Sequence, residues 1–246
     1  MAAWNDGASA PLAVIEDRDT SDAAAQLARA AELLDEVKRG MRGPTLRLYR
    51  PRPTMAFGQR DTRLPGFEAA RAASLAHGFE PVVRKAGGRA AAYHEGTLIV
   101  DHIEPASEAM VGHRHRFEVF GELYADVLRG LGVDARVGEI PGEYCPGEYS
   151  VHGVPGLGST AAGPVKLVGT AQRVVAGAWL FSSVFVVSDA APVRAVLTDV
   201  YRALELPFDP RTAGAADDVV PGLTVDAVER SLLEMYAEQG ALAVPL

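Results

Sequence analysis

The chain has 246 residues, 48% hydrophobic and 23% charged, with a net charge of -8 and one cysteine. That balance fits one sizeable α/β domain, and the acidic charge argues against unspecific affinity for nucleic acid or an anionic membrane. A single cysteine cannot form an internal disulfide, and the longest apolar run, residues 176–187, is interrupted by Ser182 and Ser183, so a soluble cytoplasmic protein is expected.

In chain order, residues 1–19 are small, polar and aperiodic and read as a flexible N-terminal arm, with no cationic segment leading into an apolar run as a secretory signal would have. Residues 20–246 read as one domain. A helix is expected from Asp22 to Arg39, capped by Thr20 or Ser21, buried along Leu27, Ala30, Leu34 and Val37, and stopped at Gly40. Strands follow at Leu46–Tyr49 and Met55–Gly58, a short helix at Glu68–Ala76, and strands at Pro81–Arg84 and Thr97–Asp101. Phe117–Leu131 has Phe117, Phe120, Tyr124, Val127, Leu128 and Leu131 on one helical face. Residues 137–165 read as a long loop broken at most by a strand near Ser150–His152, and a loop of that length is usually functional. Leu167–Val168, Arg173–Val175 and Ala178–Val187 supply further strands. Two helices close the chain, one from Pro192 to Leu204 and one capped by Thr224 and ending at Gly240. The irregular order predicts a mixed α/β fold, a central mixed sheet flanked by helices, rather than a doubly wound parallel sheet.

Two segments carry the chemistry. In Arg84-Lys85-Ala86-Gly87-Gly88-Arg89, the glycines permit positive φ and let a ligand approach bare backbone, while the flanking cations suit an anionic or acyl ligand. The bland alternative is a glycine hairpin with solvated charges. In Lys166-Leu167-Val168-Gly169-Thr170-Ala171-Gln172-Arg173, one lysine precedes a turn of small residues able to pack against an acyl chain. Cys145 lies in the long loop. Lone cysteines are most often small inert hydrophobes, and a nucleophilic one needs an activating neighbour, for which His94 and Lys166 are candidates.

Together these segments resemble the two motifs of the lipoate-protein ligase and octanoyltransferase family, and the resemblance runs over roughly residues 22–205, with Phe57-Gly58-Gln59 similar to a further family turn. The family's first motif runs Arg-Arg-x-Gly-Gly to a histidine, then Gly and Asn or Thr. Here Gly96-Thr97 fits the tail, which puts Tyr93 in the histidine's place, with His94 one position later and facing the opposite side of an extended segment.

The resemblance implies a fold shared with biotin ligases and class II synthetases. It also implies attachment of a lipoyl or octanoyl group to a lysine of a carrier domain. Under a ligase reading, ATP and magnesium convert lipoate to an acyl-adenylate. Lys166 stabilises the charge that develops; Arg84, Gly87, Gly88, Arg89, Tyr93, His94, Gly96 and Thr97 shape the acyl and nucleotide site; and Gly169, Thr170, Ala171 and Gln172 line the pocket. The partners implied are apo lipoyl domains of 2-oxoacid dehydrogenases or the glycine cleavage H protein, and acyl carrier protein as a possible donor. Under an alternative reading, the enzyme needs no ATP and Cys145 holds the acyl group as a thioester. A third reading is a non-catalytic acyl-binding relative, prompted by Tyr93.

Other motifs fail on context. Gly156-Leu157-Gly158-Ser159-Thr160-Ala161 matches a dinucleotide pattern, but Pro164 breaks the required helix. His113-Arg114-His115 lacks accompanying ligands and reads as a solvated loop, so no metal site is expected.

Overall fold

The computed structural model describes residues 10–18 and 22–243, and among these the chain forms ten strands and six helices. They are β1 (Ala13–Asp17), α1 (Ala23–Lys38), β2 (Thr45–Tyr49), β3 (Thr54–Phe57), α2 (Phe67–Ala76), β4 (Glu80–Val83), β5 (Ala91–Tyr93) and β6 (Thr97–Ala106), then α3 (His113–Gly130), β7 (Asp134–Val137), β8 (Val151–Val154), β9 (Val165–Val175), β10 (Gly177–Val186), α4 (Ala190–Ala203), α5 (Ala216–Val219) and α6 (Val225–Glu238). Seven strands make a mixed sheet in the order β1-β2-β6-β10-β9-β8-β7, and a small sheet runs β4-β3-β5. No helix among the described residues is long and apolar enough to cross a membrane.

The helices follow their apolar periodicity. Helix α1 buries Ala30, Leu33, Leu34 and Val37 against β6 and β10. Its cap is Asp22, whose carboxylate accepts the Ala25 N–H at 2.7 Å; Thr20 and Ser21 lie outside the described residues. Helices α3 and α6 cover the other face of the large sheet, where Phe120, Tyr124, Phe181 and Phe185 meet in the main core. Burying each such side chain contributes about 1.5–3 kcal/mol. Helices α2 and α4 pack together beside the small sheet in a second core around Met55, Phe57, Val196 and Val200.

Several expectations are corrected. Part of the presumed arm is strand: Ala13–Asp17 pairs in parallel with Thr45–Tyr49 at the sheet edge, where its backbone groups find partners. Residues 1–9 lie outside the described residues. Of the expected loop 137–165, Val137 closes β7 and 151–154 form β8, which leaves 138–150, beside the site, and 155–164 irregular. Helix α3 begins at His113, so His113-Arg114-His115 is its exposed first turn rather than a loop. The small-residue turn after Lys166 does not exist. Residues 165–175 are one continuous strand paired with β10, because Gly169 and Ala171 sit opposite Val184 and Ser182 in an unbroken antiparallel ladder.

Candidate active site

A cavity of about 100 Å³ opens where the two sheets meet. Its floor is the face of β9 and β10 bearing Gly169, Ala171, Ser182 and Val184. Thr170 also lines it. One wall is the crossover from β4 to β5, which contributes Arg84 and Gly88, together with Tyr93 at the end of β5, and the other is the loop carrying Tyr144, Cys145 and Ser150. The crossover is not a hairpin. Strands β4 and β5 flank β3 on opposite sides, so residues 84–90 pass over its end.

Lys166 reaches this cavity because the strand breaks its alternation. Val151 pairs with Val168 and His152 with Lys166, which leaves Leu167 without a partner on β8 as a bulge. A bulge shifts the side-chain period by one residue. Lys166 therefore joins the face of Gly169, where a Cβ would lie 3.6 Å from the lysine Cε. Lys166 is 1% exposed, and its Nζ donates to Glu143 Oε1 at 2.8 Å, the Tyr144 carbonyl at 3.1 Å and the Cys145 carbonyl at 2.8 Å. Glu143 is equally buried. It also accepts from Ser150 Oγ at 2.7 Å, and from the Gly147 and Ile140 N–H groups.

Cys145 lines the cavity with φ +44, a left-handed conformation uncommon for a side-chain-bearing residue. Its Sγ receives the Arg89 N–H at 3.1 Å and faces the Arg84 guanidinium at 3.8 Å. Its own N–H donates to Tyr201 Oη at 2.7 Å. Arg84 also donates to Tyr93 Oη at 2.9 Å and to the Arg89 carbonyl at 2.8 Å. Burial works against the charge on Arg84, yet Tyr93 and Cys145 hold its pKa above the ordinary arginine value, and it stays cationic. Burial pushes the Tyr93, Tyr144 and Tyr201 phenols up, so all three are neutral hydrogen-bonding groups.

Gly88, with φ +99, is the glycine that the bend requires, since a Cβ there would meet Arg84 at 2.5 Å and Cys145 Sγ at 2.9 Å. Its carbonyl in turn occupies the space beside Gly58, where a Cβ would come within 1.9 Å of it. Behind Arg84 and Tyr93 lies a second chamber of about 40 Å³, lined by Leu27, Ala30, Ile99 and Leu180. Asp101 also lines it; burial raises this carboxyl's pKa, opposed by Arg47 and Ser182.

Not every expected residue comes here. His94 turns to the other side of β5, where its Nδ1 accepts the Gly96 N–H at 3.0 Å, so it does not adjoin the sulfur as an activating base. Gly96 and Thr97 build that same turn: a Cβ on Gly96 would strike the Ser188 carbonyl at 2.3 Å, and Thr97 Oγ1 donates to the His94 carbonyl. Gln172 faces α3, accepting from Arg116 at 2.8 Å and donating to the His113 carbonyl. Gly87 is exposed with open space around it. Arg89 offers its backbone to the sulfur, while its guanidinium turns to the fully buried Asp61 at 3.1 Å. Glu143, Asp61 and Tyr201 carry no sequence signal, because nothing local marks a carboxylate or phenol whose partners lie 20 to over 100 residues away.

Residues 22–234 match the family model described as the lipoyl protein ligase A/B catalytic domain. The chain belongs to that family. Its relatives include an octanoyl-[GcvH]:protein N-octanoyltransferase of Geobacillus kaustophilus, 29% identical over 212 residues, which cover 86% of this chain and 71% of the relative. A protein of the same description from Anoxybacillus flavithermus is 31% identical over 147 residues, 59% of this chain and 49% of that one. Among solved structures, a lipoate-protein ligase A bound with ATP superposes with a TM-score of 0.71 at 19% identity, over 96% of this chain and 88% of the other. That likeness supports the fold alone. The lipoyl protein ligase A/B assignment makes the chain an enzyme of mixed α/β architecture, as its sequence resemblance implied.

Proposed function

We propose that this enzyme is an ATP-independent acyltransferase of the cytoplasm. It moves an octanoyl or lipoyl group between lysines of carrier proteins through a thioester on Cys145. The observation that carries this reading is the placement of Cys145 Sγ in one cavity with Lys166, faced by the Arg89 N–H and the Arg84 guanidinium.

The chemistry runs in two displacements. The sulfur attacks the carbonyl carbon of an acylated donor lysine; the C–S bond forms, the C–N bond breaks, and the leaving amine takes the thiol proton. The acceptor lysine then attacks the thioester. A new C–N bond forms, the C–S bond breaks, and the amine's proton returns to sulfur. No net oxidation or activation is required. The positive charge of Lys166 at the cavity wall suits the oxyanion formed in each step, and such contacts are worth about a hundred- to a thousandfold in rate. The apolar chamber behind Tyr93, at about 40 Å³, must widen to take the hydrocarbon tail.

The cations expected to meet a nucleotide are engaged within the protein. Arg89 binds Asp61, and Arg84 spans Tyr93, the Arg89 carbonyl and Cys145. These pairings favour a reaction that brings no triphosphate, and they weigh against the adenylate reading with ATP and magnesium. Named relatives act with the glycine cleavage H protein, so octanoylated H protein is the donor to try and apo lipoyl domains of 2-oxoacid dehydrogenases are the acceptors.

The test is intact-mass analysis of enzyme and acceptor after incubation with octanoyl-H protein, with octanoyl-acyl carrier protein, or with lipoate plus ATP. The expected result is an octanoyl adduct on the enzyme that is absent in Cys145→Ala, together with acceptor modification without ATP. Acceptor modification that needs ATP and survives in Cys145→Ala would instead indicate the ligase. Bound octanoate with no adduct in any arm would indicate a binding protein.

A further inference from the structure

Tyr201 lies on α4, outside both motif segments, yet its hydroxyl touches both walls of the cavity. It is 2% exposed. Its oxygen accepts the Cys145 N–H at 2.7 Å and its proton goes to the Ala90 carbonyl at 2.9 Å. The first bond holds the loop residue that bears the thiol. The second holds the crossover residue next to Arg89, whose N–H points at Sγ at 3.1 Å. One hydroxyl thus ties the sulfur's backbone to the backbone of the donor facing that sulfur. The ring is anchored from behind by Phe208, with centroids 5.2 Å apart, and burial keeps the phenol protonated.

The anchoring has something to restrain. Cys145 adopts φ +44, a conformation that is strained for a residue with a Cβ and persists only where surroundings over-determine it. We infer that Tyr201 is a positioning residue, which holds Cys145 in its left-handed conformation so that the Arg89 N–H meets the sulfur when charge gathers on it. Charge gathers there when the thiol gives up its proton ahead of attack and again when the thiolate leaves the thioester, and a fixed donor stabilises the sulfur anion at both points. This inference rests on the thioester reading for its catalytic consequence, though not for its geometry.

The experiment pairs Tyr201→Phe, which keeps the ring against Phe208 and removes only the hydroxyl, with Val196→Ala. Val196 is a buried residue of the same helix, and its truncation loosens the α4 core without touching either hydrogen bond. Each variant is assayed for thermal midpoint, for the rate of Cys145 carboxymethylation by iodoacetate in the absence of substrate, and for octanoyl transfer. In Tyr201→Phe, carboxymethylation and kcat should each fall about tenfold, the loss expected for one well-placed hydrogen bond, with acceptor KM within about twofold. Val196→Ala should lower the midpoint while leaving both rates per folded molecule unchanged. Equal rates in Tyr201→Phe and wild type, or equal losses in the two variants, would overturn the inference. If wild type transfers no acyl group while Tyr201→Phe still slows carboxymethylation, the positioning role stands and the thioester reading fails.

Discussion

Lys166 and Glu143 form a buried ion pair of 2.8 Å in which the ammonium has no donor to spare, because its other two hydrogens go to the carbonyls of Tyr144 and Cys145. An ammonium has three N–H donors, and here each is matched. The lysine thereby fixes the loop that carries the thiol, and an acyl oxyanion must share or displace one of those carbonyls to reach it.

Removing that cation should cost both activity and stability. Lys166→Ala leaves the Glu143 carboxylate buried without its counter-charge, a defect of about 3–5 kcal/mol, and should lower transfer about a hundredfold or more. Glu143→Gln keeps the ammonium and should lose about tenfold. Denaturant midpoints and single-turnover rates measured together separate the effects, and equal rates in the two variants would reduce Lys166 to a strut.

The two adjacent glycines should respond oppositely. Gly88→Ala places a methyl 2.9 Å from Cys145 Sγ at a backbone angle of +99°, so thioester formation should fall at least about tenfold, with strain of about 1–3 kcal/mol. Gly87→Ala meets nothing within 4 Å and should stay within about twofold of wild type. Acyl-enzyme formation followed by intact mass reads both.

Arg84→Lys keeps a charge and loses the fork. Arg84 holds Tyr93 through one terminal nitrogen and the Arg89 carbonyl through the other, and a lysine ammonium lacks that planar geometry. We expect kcat to drop about tenfold with little change in acceptor KM; retained kcat would show that charge alone suffices.

His94 should govern acid stability rather than catalysis. Burial holds its pKa below the ordinary histidine value, against the pull of Asp189 and Glu95. The unfolded chain therefore takes up a proton near pH 6.5 while the fold resists it, and stability falls as pH drops below about 6.5. In His94→Asn, with a side-chain oxygen available to the Gly96 N–H, the thermal midpoint should vary less between pH 5 and 7. Octanoyl transfer at neutral pH should remain within about twofold of wild type. A strong loss of transfer would return this histidine to the site.

Legibility followed the range of the interactions. The Phe117–Leu131 face and the α1 stripe were readable because one helix face recurs every three or four residues, and that period is local. Strand β1 was not, since Ala13–Asp17 owes its conformation to pairing with β2, some thirty residues on. Gly169-Thr170-Ala171 read as a turn by composition, yet the ladder to β10 holds those residues extended.

The residues alone set the fold family, the cationic glycine segment and the lysine at the head of β9. Each is written in contiguous residues, and local motifs keep their identity whatever surrounds them. The tertiary structure alone decided that the Leu167 bulge turns Lys166 toward the cavity, that Tyr93 faces inward and His94 away, and that Glu143, Asp61 and Tyr201 hold the groups around Cys145. Those outcomes depend on strand register and on buried polar groups finding distant partners, a condition imposed only when the chain closes on itself and water is removed.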